Sequence, residues 1–301
     1  MKGLPTLLLL AALLTFLPLR SQSDTPITII NNQQHSAYLE ALEGFRKTYQ
    51  SLAPPAPCRV FRSIAPHAAE WRAHPPPIMV TLGSAMTRTA ATNLPSTPIL
   101  FMMVADPAHS QVLGPRICGV TLDIPYRKQL NAMKRILPGR KRIGLIYSPQ
   151  DNNHNIPQAV EAANGLGLFL NLFPVSSPSE VPPLNRLNVE ILWIIPDALI
   201  CQPPIIKRFL MEGLQHGIPV VGISPQYVKA GALLALSCDY RDIGAQAAHM
   251  AMRVLRHPER PLPVVQPPRS AKLTLNRAVA DRLGLTIPGE IWQEAHEVFG
   301  E

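Results

Sequence analysis

The sequence predicts an α/β protein of two successive units, each a parallel sheet flanked by helices. Three observations predict it. Short apolar runs alternate with helix-period stripes, which is the rhythm of β-α-β units. Those runs are apolar on both faces, as strands covered by helices on each side tend to be. The rhythm restarts after Thr121, and 301 residues are enough for about two domains of ~150 residues.

The elements follow in chain order. Ile27–Ile30 is a β-branched run and the first strand. Tyr38, Leu42, Phe45, Tyr49 and Leu52 recur at spacings of four and three, one stripe of a helix. Residues 59–61 make a short second strand. Residues 78–82 make a third that ends in Gly83-Ser84, with Ser84 or Thr87 placed to cap the helix running through Ala91. Residues 99–104 are the fourth strand, closed by Ala105-Asp106-Pro107. After the restart, Tyr126, Leu130, Met133 and Leu137 mark a helix stopped by Pro138-Gly139. A strand at 143–147, a polar Asn-rich loop at 148–157 and a helix at 158–166 come next. Strands follow at 169–173, at 191–195 before Pro196-Asp197, and at 219–223 before Ser224. A helix carrying Ile206, Leu210 and Leu214 separates the last two. Residues 232–236 are a strand leading into Ser237-Cys238-Asp239-Tyr240. Ile243, Ala247, Met250 and Val254 then lie on one face of a long helix. Residues 257–268 are proline-rich and extended, 273–275 are a last strand, and a final helix leaves Glu294, Glu297 and Glu301 exposed.

Composition removes several function classes. Apolar residues make up 47% and charged residues 16%, so the chain has a core and is not disordered. The 33 prolines sit between periodic segments, as loop stiffeners. A formal charge of +8 permits a nucleic-acid partner, but the basic residues are scattered and form no arm. The cluster Lys134, Arg135, Arg140, Lys141 and Arg142 flanks a helix–strand turn without interleaved aromatics, and reads as a solvated turn.

The N-terminus has the layout of a secretory signal peptide. Lys2 precedes an apolar stretch from Leu4 to Leu19, and Arg20-Ser21-Gln22-Ser23 follows. The stretch is short for a bilayer helix and is interrupted by Pro5 and Pro18, so removal of residues 1–23 is expected over anchoring. Cys58, Cys118, Cys201 and Cys238 include no C-x-x-C pair. Export makes disulfides possible, and buried free thiols are the alternative.

Motif inspection points away from catalysis. The chain has no G-x-x-x-x-G-K-[ST] loop, no G-x-G-x-x-G loop and no H-E-x-x-H helix. Gly222-Ile223-Ser224-Pro225-Gln226 lacks the second glycine of a nucleophile elbow. The reading is a non-enzyme, with no cofactor and no metal implied.

In open α/β sheets ligands sit outside the carboxyl ends of the strands. The candidate ligand-binding residues at those ends are Gly83, Ser84, Asp106, Ser148, Asn152, Asn153, Asp197, Ser224 and Asp239. Two facing sheets would gather them around a small polar molecule. Each aspartate could hold an ammonium group by a charge-assisted hydrogen bond or cap a helix. Asp239 leans towards the cap, because a long helix starts just after it. Asn152 and Asn153 could donate to a carboxylate or carbonyl, or form an ordinary turn. Ser84 lies at a helix start, where backbone N–H groups favour an anion. Alanine at Asp197 or Asn153 is expected to weaken ligand binding and leave the fold intact.

The run from Leu137-Pro138-Gly139 through Tyr147-Ser148-Pro149 resembles the start of the second lobe in a family of ABC-transporter substrate-binding proteins. The segments Val221 to Leu233, Ala235 to Gly244 and Leu273-Thr274-Leu275-Asn276 are similar to the same family. So are Ala105-Asp106-Pro107 and Gly119-Val120-Thr121. The resemblance covers nearly all of the chain beyond the leader and is strongest over residues 137–287. The chain departs from the pattern at Ser84-Ala85-Met86, and between Asp106 and Gly119, where His109, Gln111 and Pro115 stand.

The resemblance implies a type I periplasmic binding protein fold, a two-lobed clamp with a ligand cleft between the lobes and a hinge of three crossovers. It places residues 24–121 plus about 240–269 in the first lobe and 122–239 plus about 270–301 in the second. It implies a monomeric periplasmic solute-binding component of an ABC-type importer. That component closes on a small amino-acid-like molecule, an aromatic amino acid among the candidates, and hands it to a membrane permease. The alternative is an exported sensor or interaction protein that uses the same clamp to signal to a membrane receptor without transport. A sugar-responsive repressor is set aside, because the leader stands where a DNA-binding headpiece would.

Overall fold

The computed structural model describes residues 26–53 and 57–300. The expected leader and Glu301 lie outside them.

The first sheet contains β1 (Ile27–Ile30), β2 (Cys58–Phe61), β3 (Met79–Leu82), β4 (Ile99–Val104) and β5 (Ile117–Thr121). Their order is β2-β1-β3-β4-β5, and every pairing is parallel. Side chains alternate across this sheet. Ile29, Val80, Leu82, Leu100 and Met102 pack towards α1 (Ser36–Leu52) and the late helix α9 (Tyr240–Arg256). Ile30, Met79 and Ile99 pack towards α2 (Ala68–Ala73) and α3 (Ser84–Asn93), against Trp71, Ala90 and Leu94. β5 was not among the expected strands because Gly119 interrupts its apolar run. The glycine is required there, since a Cβ would collide with Phe101 on β4.

Helix α9 follows the second sheet in sequence yet packs with the first sheet's core. Its seat on α1 depends on two glycines. A Cβ on Gly244 would overlap the Ala41 carbonyl, and one on Gly44 would overlap the Arg241 carbonyl. Small residues let the two backbones approach directly.

The second sheet holds β6 (Arg142–Tyr147), β7 (Phe169–Pro174), β8 (Ile191–Trp193), β9 (Val220–Gly222), β10 (Leu234–Cys238), β11 (Ala271–Asn276) and β12 (Glu297–Phe299). Their order is β12-β11-β10-β9-β8-β6-β7. Ile143, Leu145, Ile191, Trp193 and Val221 pack on one face with α4 (Tyr126–Ile136) and α6 (Ile156–Asn164). Ile146, Leu192, Ile194 and Val220 pack on the other with α7 (Pro203–His216).

Three expectations are corrected here. The second sheet is not wholly parallel, because β11 runs antiparallel to β10. The register explains it: Ala271 pairs with Cys238, so the chain returns from α9, on the first sheet, at the carboxyl end of β10 and must run back. The chain does not end in one helix. Gly284 takes φ +61°, a left-handed value that suits glycine, and stops α10 (Arg277–Arg282) soon after its end. After α11 (Gly289–Glu294), Glu297 lies on β12, paired with Thr274. Finally, the loop expected at 148–157 contains a helical turn, α5 (Pro149–Asn152), started by a proline at its first position.

Three crossovers join the sheets, and they are bound to one another. The Cys238 thiol donates to the Leu122 carbonyl (3.1 Å). Lys128 Nζ donates to the Arg269 carbonyl (3.0 Å). Arg269 Nε donates to both carboxylate oxygens of Asp242 at 2.9 and 3.0 Å, and Ser270 Oγ donates to the same group at 2.7 Å. These contacts, the Arg269 hydrogen bond foremost, hold the Asp242 carboxyl below its ordinary value. Buried Gln246 ties α9 to the third crossover through Gln266, Pro267 and Arg269. All four cysteines are free.

Candidate functional site

The carboxyl ends of the two sheets face each other. Asp106, just past β4, meets His154 and Asn155, just past β6 and α5. The residues around this meeting line the cleft.

On the first sheet's side, Gly83 turns the chain from β3 into α3 at φ +83°, where a side chain would press on Tyr38 at 3.2 Å. Ser84 is the first residue of α3 and is half-buried. The end of β4 and the loop after it are backbone-strained. Met103, Asp106 and Gln111 take φ of 63°, 41° and 54°, values that cost free energy for residues other than glycine. Met103 sits where the β4–β5 register shifts, an irregularity at the end of the strand.

Asp106 is the most connected of the predicted residues on this side. Its Oδ1 accepts the His109 backbone N–H at 3.0 Å. Its Oδ2 pairs with His154 Nε2 and accepts from Asn155 Nδ2 at 3.4 Å. Its own N–H donates to Asp123 Oδ2 at 2.9 Å. Burial alone would raise the Asp106 carboxyl, but the His109 N–H and the His154 and Asn155 contacts outweigh it and hold it below its ordinary value. The rings of His109 and His154 stack, 5.2 Å apart and 6° from parallel. Asp123 lies beneath this group. Desolvation of its carboxyl, followed by the charge of Asp106, pushes it up to about 6.

On the second sheet's side, the predicted residues divide. Asp197 is 6% exposed and its carboxylate is fully occupied. Oδ1 accepts from Leu199 N (3.0 Å) and Ile200 N (2.9 Å), while Oδ2 accepts from Ser148 N (2.7 Å) and Asn152 Nδ2 (2.9 Å). Asn152 is likewise buried, and also donates to the Pro196 carbonyl at 3.0 Å. This geometry changes the expectation for Asp197→Ala: the residue ties the end of β6 to the end of β8, so its loss leaves buried donors unpaired. Asn153, by contrast, is exposed with its side chain free of hydrogen bonds to described residues. Ser224 is half-buried at the start of α8 (Pro225–Lys229) and makes no side-chain capping bond. Asp239 is a cap: Oδ1 accepts from Asp242 N at 3.2 Å and lies 3.5 Å from Lys272 Nζ. It stands between β10 and α9, at one of the crossovers.

Sequence reasoning missed His154, Asn155, His109 and Asp123. The available signal is the unbroken polar run Asn152-Asn153-His154-Asn155. Among the described residues no group of His, Cys, Asp and Glu has the arrangement of a metal site. A surface groove lined by Lys141, Arg142, Phe169 and Glu190 lies at the opposite, amino-terminal end of the second sheet. Its acid is engaged, since Glu190 accepts the Lys141 and Arg142 N–H groups. No helix among the described residues is long and apolar enough to cross a membrane.

Comparison with known proteins shows the family and the fold. Residues 62–299 match the model of the ABC transporter substrate binding protein family, and the chain belongs to that family. A tyrosine-binding protein of Clostridioides difficile (strain R20291) is 27% identical over 172 residues, covering 52% of this chain and 48% of that protein. The chain thus aligns with about half the length of that curated relative. Among solved structures, the ligand-free, open form of a Clostridium difficile substrate binding protein with adhesive properties covers 92% of this chain and 100% of its own. Its TM-score is 0.73 at 17% identity. A Streptococcus pneumoniae ABC domain in complex with L-Trp has the same coverage, with a TM-score of 0.61 at 19% identity. The fold is that of the two-lobed periplasmic binding proteins.

Proposed function

We propose that this family member is an exported, non-enzymatic solute-binding component of an ABC importer that closes its two lobes on a small amino-acid-like molecule. The observation that carries this reading is the meeting of the two sheets' carboxyl ends at Asp106 and His154, with polar side chains ranged on both sides. The tyrosine-binding relative and the L-Trp complex supply the ligand class.

The first lobe takes residues 24–121 and about 240–269, and the second takes 122–239 and about 270–301. Ser84, Ser148, Asn153 and Ser224 contact the ligand, Gly83 shapes the turn beside it, and Asp106 stands at the lobe junction. Asn152 and Asp197 hold Ser148 in place from behind. Asp239 acts at the hinge. The protein works as a monomer that delivers its ligand to a membrane permease, without cofactor, metal or nucleic acid.

The test is thermal unfolding of the protein with L-tyrosine, L-tryptophan and a panel of other amino acids. A ligand at a hundredfold its Kd adds about 2.7 kcal/mol. A shift with an aromatic amino acid supports the reading. No shift with any amino acid overturns the ligand class.

A further inference from the structure

We infer that Asp106 and His154 form a proton-sensitive bridge that sets the angle between the two lobes, with His109 and Asn155 as its positioning residues. The inference deepens the clamp reading and rests on it, because a bridge matters only if the lobes move.

The geometry is specific. One carboxylate on the first lobe is held from both sides. Oδ1 is fixed by its own loop through the His109 N–H, and Oδ2 faces the second lobe's His154 and Asn155. The His109 ring lies flat on the His154 ring, which orients the imidazole towards the carboxylate. The carboxylate is presented from a loop with two non-glycine residues at positive φ, Asp106 and Gln111, and a third, Met103, stands in the strand before it; such strain persists only where surrounding contacts hold it in place. The side chains of His154 and Asp106 are 40% and 28% exposed, so the pair contributes little to folding itself. An interlobe angle is softer than a fold. States separated by a few kcal/mol exchange population on the gain or loss of one contact.

The charges around the bridge determine its response to acid. Facing Asp106 are His154, His109, Asp123 and the Tyr126 hydroxyl; facing His154 are Asp106 and His109. Asp151, in the turn before His154, is engaged with the Ala198 N–H at 2.7 Å. Histidines as a class gain charge as pH falls from about 7 to about 5. A charged imidazole donates a stronger bond to a carboxylate than a neutral one. Asp106 stays ionised over that range because its carboxyl is held low. Asp123, pushed up to about 6, loses its charge over the same range; that removes a like charge from beside Asp106 and weakens the acceptor of the Asp106 N–H, two opposed effects, so it does not set the sign. The bridge therefore tightens as pH falls towards 5.5.

Small-angle X-ray scattering of the protein without added amino acid, at pH 7.5 and 5.5, tests this. The wild type is expected to show a smaller radius of gyration at pH 5.5. His154→Ala is expected to lose that shift and to stay at the larger value. His154→Gln keeps a donor but cannot gain charge, so it should lie between them and not respond to pH. Each variant should melt within about 2 °C of the wild type, which separates lobe opening from unfolding. Coincident wild-type and His154→Ala curves at both pH values overturn the bridge. A full pH response in His154→Gln also overturns it, by placing the titration elsewhere. Melting with L-tyrosine keeps the two proposals apart. A ligand shift in a wild type whose scattering does not respond to pH removes the bridge and leaves the ligand reading. A pH response lost in His154→Ala, in a wild type that no amino acid stabilises, does the reverse.

Discussion

The two walls of the cleft use the same positions on opposite terms. Asp106 and Asp197 both follow the carboxyl end of a parallel strand. Asp197 turns inward: the Leu199 and Ile200 N–H groups curl back onto one oxygen, and Ser148 and Asn152 fill the other. Asp106 turns outward: it takes a positive φ, and its Oδ2 meets His154 and Asn155 beyond the second sheet. A strand-end acid thus becomes an internal tie or a cross-lobe contact according to where the next few backbone N–H groups point. On the second wall Asp197, Ser148 and Asn152 are paired with one another, whereas the first wall carries backbone strain and reaches across.

The largest expected effect breaks the second wall. Asp197→Ala leaves three backbone donors and an amide without their acceptor, at a cost of about 3–4 kcal/mol or more, read as a drop in denaturant midpoint. Asp106→Ala in the strained wall should cost under about 1 kcal/mol in the same experiment. Equal losses at the two positions would erase the distinction between the walls.

Next comes the packing that fixes the first wall. Gly244→Ala forces α9 off the Ala41 carbonyl and should destabilise the protein by about 2–3 kcal/mol. Gly139, where a Cβ meets nothing within 4 Å, is the control, and Gly139→Ala should be nearly neutral. Calorimetry of the two variants side by side checks both.

A smaller effect lies at the hinge between the walls. The Asp242 carboxyl is depressed, so its contribution is fully present above the ordinary carboxylate range near 4 and is lost as pH falls through the lowered value. Arg269→Met should remove that contribution, flattening the acid limb of the stability–pH curve below about pH 4 and lowering stability near neutrality. An unchanged acid limb would show that the pair contributes nothing to the hinge.

The smallest effect sharpens the comparison on the ligand's side. Asn153→Ala should leave the melting temperature unchanged and weaken amino-acid binding by roughly five- to tenfold, the loss of one hydrogen bond. Isothermal titration with L-tyrosine or L-tryptophan measures it.

The sequence by itself determined the alternation of strands and helices and the restart after Thr121, because both are carried by local periodicity. It located the ends of β3, β4 and β6, where apolar runs stop at Gly83, Ala105 and Ser148, but carried β8 on to Ile195, past its end at Trp193, and stopped β10 short of Cys238. It missed β5, where Gly119 answers to the bulk of Phe101 on a neighbouring strand and not to any local pattern. It misread the chain's end, where β12 exists only because β11 offers an edge to pair with. What each strand-end residue does was decided by tertiary structure alone. Asp106 and His154 are 48 positions apart, and Ser148 and Asp197 are 49 apart. Side-chain pairing across such distances has no periodic trace: it depends on the direction in which each backbone turns after the strand, and on what the other half of the molecule brings to meet it.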